Sequence, residues 1–355
     1  IWGSCRTNLA TITFNDENKV FGDGDFVLSP TSNGSGTFTF SIADPSVATV
    51  AGSTVTIVGA GTTVITAIQA GDTAYLSTTA TMTLTVDKAN PTISFADLAK
   101  NSDDADFNLS ATSNSTGIFT YSIANASVAV VSGTSVSIVG GGSTLVEATQ
   151  ASDSNYNSGS ATMTLTVSKI VPTLTFSDVT KSYGDPDFEP GPSSNSSGTF
   201  TYAVADSSVA TVNESSISIV GLGTTVVSAT QASDSNYLSA ETSMTLTVVK
   251  GNPTITFNDI DKRIGDADFN LSATSNSTGA FSYLLANSSV ATLSGTTVSI
   301  LATGTTRVTV NQAANTNFNA GTASMTLTIL DVNPDTDGDG TNDELDDFPT
   351  DPDEW

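Results

Sequence analysis

The residues best placed to do chemistry lie near the C-terminal end, where 335–346 reads D-T-D-G-D-G-T-N-D-E-L-D. Calcium is a hard cation that takes about six to eight oxygens, and a loop of about twelve residues can supply them from alternate positions around one sharp turn. Asp335, Asp337, Asp339, the backbone carbonyl of Thr341, Asp343 and Asp346 fall at the ligand positions, and Gly340 falls at the turn. A charge run more often means a solvated terminus. The spacing of glycine and carboxylates favours calcium instead. Residues 331–355 hold 11 acids and no base, so a cation is needed to offset their mutual repulsion.

Elsewhere the composition excludes chemistry. The 355 residues include no His and one Cys, Cys5. That removes imidazole relays, His-ligated zinc or haem, and an internal disulfide. With 36 acids against 10 bases the net charge is −26, which argues against nucleic acid or an anionic membrane as partner. Apolar runs are too short for a transmembrane helix. The carboxylate pairs Asp23/Asp25, Asp104/Asp106, Asp185/Asp187 and Asp266/Asp268 could suggest a glycosidase. The same pair repeated four times lacks the unequal environments an acid and a base require, so a turn held by Asp side chains is the better reading, with calcium at module junctions second. Asn33, Asn114, Asn195 and Asn276 each open an N-x-[ST] glycan acceptor pattern, but in a turn that favours Asn in any case. An isopeptide crosslink from the in-register Lys and Asn needs them buried together with an acid, which Asp-rich loops around Lys do not favour.

These residues are positioned by a repeat. Phe26, Phe107, Phe188 and Phe269 are 81 residues apart, as are Lys19, Lys100, Lys181 and Lys262, Gln69, Gln150, Gln231 and Gln312, and Met82, Met163, Met244 and Met325. The period divides the chain into a leader or remnant strand (1–6), four modules (7–88, 89–169, 170–250 and 251–330) and a tail (331–355). Inside a module the apolar residues alternate: Phe38, Phe40 and Ile42, then Met82, Leu84 and Val86. This is the period of a half-buried strand, and it predicts strands near 10–14, 26–32, 37–43, 46–51, 54–58, 62–69 and 79–87. Seven short strands without a helical stretch predict a small all-β sandwich. Linkers of a few residues at Pro91, Pro172 and Pro253 predict a semi-rigid rod. Tyr75, Tyr156, Tyr237 and Phe318 recur between the last two strands, where they would plug a sandwich end or form a sugar-stacking stripe. The opening on Ile1 is read as processing or as a segment of something longer, with 1–6 ending a previous repeat or donating a strand to another subunit.

The succession Gly22-Asp23-Gly24-Asp25-Phe26, Gly36-Thr37-Phe38-Thr39-Phe40, Ser46-Val47-Ala48-Thr49-Val50, Ile57-Val58-Gly59-Ala60-Gly61-Thr62 and Gln69-Ala70-Gly71-Asp72 with Tyr75 resembles bacterial immunoglobulin-like repeats. That resemblance implies tandem sandwiches of secreted or surface-displayed proteins, often adhesins, and transfers no catalytic residue. The tail resembles thrombospondin type 3 calcium repeats, since position 12 is Asp346 rather than Glu. The expected function is therefore a non-enzymatic, calcium-stiffened stalk or fibre segment at the cell surface or outside the cell. Alternatives are a self-assembling filament, with other copies as partners, and a glycan-binding accessory region of a secreted polysaccharide-degrading enzyme.

Overall fold

A computed structural model describes residues 8–332, so the calcium-loop residues 335–346, Cys5 and the leader lie outside the described residues. Every described period is all-β. In the first, the strands are β1 (Ile12–Thr13), β2 (Glu17–Val20), β3 (Phe26–Val27), β4 (Thr31–Ser32), β5 (Phe38–Ile42), β6 (Ala48–Ala51), β7 (Thr54–Ile57), β8 (Gly61–Gln69) and β9 (Thr78–Asp87). One sheet has the order β2-β9-β8-β5; facing it are β3-β7-β6 and the pair β1-β4. The same arrangement recurs in the second and fourth periods, and in the third the three-stranded sheet is reduced to two strands. The chain is thus a tandem array of immunoglobulin-like β-sandwiches.

Alternation sets the core. Ile65, Ala67, Met82, Leu84 and Val86 point inward from β8 and β9 and are buried, while the intervening residues carry Thr and Val to the surface. Four separate apolar clusters follow, one per period, centred on Leu84, Leu165, Leu246 and Leu327. Each module has its own core, the property that lets a domain fold as a unit.

Two strands differ from the expected layout. The N-terminal strand leaves β4 after Thr13 and resumes as β2, which runs parallel to β9 in the opposite sheet. Asp16 makes this switch possible: its Oδ1 accepts the Thr83 N–H at 2.6 Å, and Asp97, Asp178 and Asp259 do the same for Thr164, Thr245 and Thr326. The expected strand 26–32 breaks into β3 and β4. At the break the N–H of Ala111 or Ala273 donates to the hydroxyl of Tyr121 or Tyr283. Pro30 has no N–H to satisfy, and its module carries Phe40 in the tyrosine position. Pro192 likewise lacks the donor; there Tyr202 donates instead to the Pro190 carbonyl, and burial together with the charge of Glu189 pushes its phenol pKa up. In the third module Pro190 replaces the leucine whose N–H pairs with Ser53, Thr134 or Thr296 elsewhere, and the β3 counterpart shrinks to the single bridge Phe188–Ile217.

The in-register polar residues now have structural work. The Lys19 ammonium lies 5.0 Å from the centroid of the Phe26 ring, and Lys100, Lys181 and Lys262 lie over Phe107, Phe188 and Phe269 at 4.6–5.2 Å. These contacts tie β2 to β3 across the open seam of the sandwich, each worth about 0.5–1 kcal/mol. Gln69, Gln150, Gln231 and Gln312 are 1–2% exposed. Each donates from Nε2 to two carbonyls of the turn before β5 or its counterpart, as Gln150 does to Ser115 and Gly117 at 3.1 and 2.8 Å. That turn is pressed so close that a Cβ on Gly36 would stand 1.8 Å from the Ala70 carbonyl oxygen, which accounts for glycine at 36, 117, 198 and 279.

Replacing the glutamine therefore strands two acceptors. Gln150→Leu is expected to cost the second module about 2 kcal/mol or more. Hydrogen exchange checks it: amides of Gly142–Gln150 should exchange faster while those of Gly223–Gln231 keep their wild-type rates.

Candidate functional site

The described residues pack as two compact units, one running to Val171 and including Ser233–Leu238, the other comprising Pro172–Ala232 and the chain from Ser239. The site that both units build is the joint made by the hairpin between the last two strands of a module.

In the second module this hairpin is closed by Asp153. Its Oδ1 accepts the N–H groups of Asn155 and Tyr156, while Oδ2 accepts the Thr116 N–H and the hydroxyls of Ser115 and Thr116, all at 2.7–2.9 Å. Asp72 closes the first hairpin in the same way on Ala74, Tyr75 and Ser35. Four or five donors around one carboxylate favour its charged form. The Ser35 N–H above all, and then those of Ala74 and Tyr75, hold Asp72 far below the usual carboxylate range; the Thr116 N–H leads the same effect at Asp153. Asn315 takes this position in the fourth module, with Oδ1 accepting from Asn317 and Phe318 and Nδ2 donating to Ser277 and Thr278.

The closed hairpin grips the linker before its own module. Lys88 donates from Nζ to the Asp153 carbonyl, the Ala89 N–H donates to the Asn155 carbonyl at 3.0 Å, and the Asn157 N–H returns to the Ala89 carbonyl at 2.8 Å. It also grips the preceding module: the Ala60 N–H donates to Asn155 Oδ1 at 3.0 Å, and Tyr156 meets Phe21 edge to face with ring centroids 5.4 Å apart. The first unit contains a second set of such contacts, between Ser233–Leu238 and the second module with its linker. There Lys169 Nζ donates to the Asp234 carbonyl, Ile170 N–H to the Asn236 carbonyl, Gly141 N–H to the Ser235 carbonyl, and Ser102 Oγ to the Asn236 carbonyl at 2.6 Å. In the second unit Lys250, Gly251 and Tyr183 hold Asn315, Asn317 and Phe318, the two rings 5.5 Å apart and nearly perpendicular. An aromatic pair of this kind adds about 0.5–1.5 kcal/mol beyond its burial.

Two of the recurring aromatics, Tyr156 and Phe318, thus pack against a ring of the preceding module, and Phe318 is buried there. Of the carboxylate pairs, Asp23, Asp104, Asp185 and Asp266 cap their turns by accepting the N–H three residues earlier, and Asp106 and Asp268 accept serine hydroxyls. That is the turn reading. Asn33, Asn114, Asn195 and Asn276 each accept a threonine N–H at 2.8 Å, pinning the start of the module, while the in-register lysines lie on phenylalanine rings instead. Among the described residues no three acids or cysteines gather to hold a metal. Clefts of about 290 and 190 Å³ open beside Phe14 and Phe176, and each brings in a single titratable side chain, Glu17 or Glu189.

No family model matches the chain, and no curated protein matches it. Solved structures similar to it include Drosophila N-cadherin EC1-4, 13% identical, covering 89% of this chain and 99% of that one at a TM-score of 0.22. Sidekick-1 immunoglobulin domains 1-5 are 14% identical, with 91% and 81% coverage and a TM-score of 0.30. A SusE-like surface-located polysaccharide-binding protein of Bacteroides thetaiotaomicron is 13% identical, with 92% and 73% coverage and a TM-score of 0.21. At these scores none carries a ligand or partner over to this chain.

Acid should loosen the hairpins unequally. Because Asp72 and Asp153 have depressed pKa values in the fold, their stabilisation is complete above the unfolded value of about 3.9 and is lost as pH falls through the folded value. Below about pH 4 the amides of Tyr75 and Tyr156 should progressively lose protection, while that of Phe318, held by the non-titrating Asn315, keeps it; amide NMR across the titration reads the difference.

Proposed function

We propose that the chain is a non-enzymatic spacer of an adhesive or structural surface protein, a stalk or fibre segment working outside the cell. The observation that carries this reading is the joint: each linker is fastened by the same backbone exchange to the hairpin of the module that follows it. A carboxylate or amide sets the hairpin, a lysine crosses the linker, and an aromatic pair or, at Ser102, a hydroxyl anchors the contact. Such conserved chemistry at successive joins suits a protein whose task is to hold separation and limit bending. The bacterial immunoglobulin-like resemblance of the repeat agrees with that role.

Calcium belongs to this proposal through 335–346. Asp335, Asp337, Asp339, Thr341, Asp343 and Asp346 would supply its oxygens, as in a thrombospondin type 3 repeat, and would offset the 11 acids of 331–355. Ordering the tail next to the fourth module would extend the stiffening past the last sandwich.

Calorimetric titration of the whole chain tests the calcium part. One site should appear at or below millimolar calcium and disappear in Asp339→Asn; absence of heat at millimolar metal would sink it. Single-molecule extension tests the spacer part. Four unfolding events of similar contour length are expected, whereas one cooperative event or none would contradict independent sandwiches in series.

A further inference from the structure

Each sandwich has a guarded edge and a bare one. The guarded edge of the four-stranded sheet carries charge: Glu17 and Lys19 in β2, and Asp261, Lys262 and Arg263 in the fourth module's Ile260–Arg263. Charge on an edge strand keeps other strands from pairing with it. The opposite edges are β5 and β6 or their counterparts, and in no module do these strands hold a charged residue or a proline.

The fourth module's bare edge stands out. Its strand Phe281–Leu285 is bracketed by bonds from the Ala286 N–H to the Arg307 carbonyl and from the Ala313 N–H to the Ala280 carbonyl. Antiparallel alternation then turns the backbone groups of Phe281, Tyr283 and Leu285 away from the neighbouring strand. Leu284 is 62% exposed, where the other modules carry Ser41, Ser122 and Ala203. Tyr283, Leu284 and Leu285 also line a cleft of about 350 Å³ with Ser288, Thr292 and Leu293. Net charge singles out the same module: it is −1 here against −5, −4 and −6 in the first three.

We propose that Phe281–Leu285 pairs with the same strand of a second copy, antiparallel about a two-fold axis at Tyr283. An uncharged five-residue strand whose first, third and fifth residues turn outward is self-complementary in that register. The outward groups of Phe281 meet those of the partner's Leu285, and those of Tyr283 meet those of the partner's Tyr283. The partner's Phe281 then lies opposite Leu285, beside the cleft. Like charge opposes contact between copies through the first three modules and costs least at the fourth. Two five-residue strands bury less than the roughly 1,200 Å² of a stable complex, so the pairing is a weak lateral contact. It is independent of the spacer reading.

Sedimentation of the full chain at rising concentration, with hydrogen exchange on the same samples, tests it. Salt of about 0.15 M screens charges beyond about 8 Å, and a chelator keeps metal-linked association out of the readout. A monomer–dimer equilibrium is expected, with exchange at the Phe281, Tyr283 and Leu285 amides slowing about tenfold or more as the dimer fills. The corresponding amides of Phe119, Tyr121 and Ile123 should keep their rates. Leu284→Lys sets like charges near one another across the axis and should weaken association about tenfold or more, while exchange in Gly304–Gln312 confirms that the module stays folded. A monomer at every concentration, a dimer without protection at the three amides, or an equally strong dimer in Leu284→Lys overturns the proposal. Protection that does not depend on concentration also overturns it, since the chain's own tail would then be covering the edge.

Discussion

Each joint depends on one polar side chain that closes its hairpin. The hairpin between the last two strands takes its shape from donors closing on Asp72, Asp153 or Asp234, or on the amide of Asn315. Only a hairpin held that way can aim its carbonyls at the linker and its ring at the preceding module. The lysine contact, the backbone exchange and the aromatic pair all depend on this closure. The same side chain also bonds the turn before the β5 position, which the buried glutamine fixes in turn. Core, turn, hairpin and joint thus form one chain of dependence, running from the least exposed polar residue outward.

Satisfaction of backbone groups explains much of the variation among modules. Where the chain breaks between β3 and β4, an N–H is met by a tyrosine hydroxyl; where proline removes the N–H, the first module drops the hydroxyl and the third turns it to a carbonyl. A buried polar group left alone costs about 1–3 kcal/mol, enough to make these changes travel together. The joints are weaker than the cores. Each module buries its own cluster, whereas a joint adds a handful of hydrogen bonds and, at two of the three, a ring pair.

The period of 81, the alternating strands and the sandwich were legible because each is a local or exactly repeated pattern. The turn reading of the Asp pairs was legible for the same reason. The switch of the first strand between sheets was not, since residues 12–20 contain no glycine or proline at the crossing and the event is marked only by Asp16, whose acceptor role appears once Thr83 is beside it. The joint was half legible. Its hairpin aromatics stood in register, but its lysines were not singled out, and Tyr156 meets Phe21 and Tyr183 meets Phe318 across 135 residues, beyond any local pattern. Asn155 and its counterparts were missed altogether; asking which linker residues recur together with which hairpin residues would have found them. The expected calcium loop rests on its motif alone, because its six expected ligand positions lie outside the described residues.

The lysine that crosses each linker, Lys88, Lys169 or Lys250, is followed one period later by Asp331, and the hairpin asparagine at 155, 236 and 317 is preceded one period earlier by Ala74. Both substitutions remove a working part: an aspartate cannot donate to a carbonyl, and an alanine cannot receive an N–H. The first hairpin nevertheless keeps the backbone part of the fastening, the Leu76 N–H donating to the Asn8 carbonyl at 3.0 Å. The side-chain contacts are thus refinements laid over a backbone exchange that the repeat preserves without them.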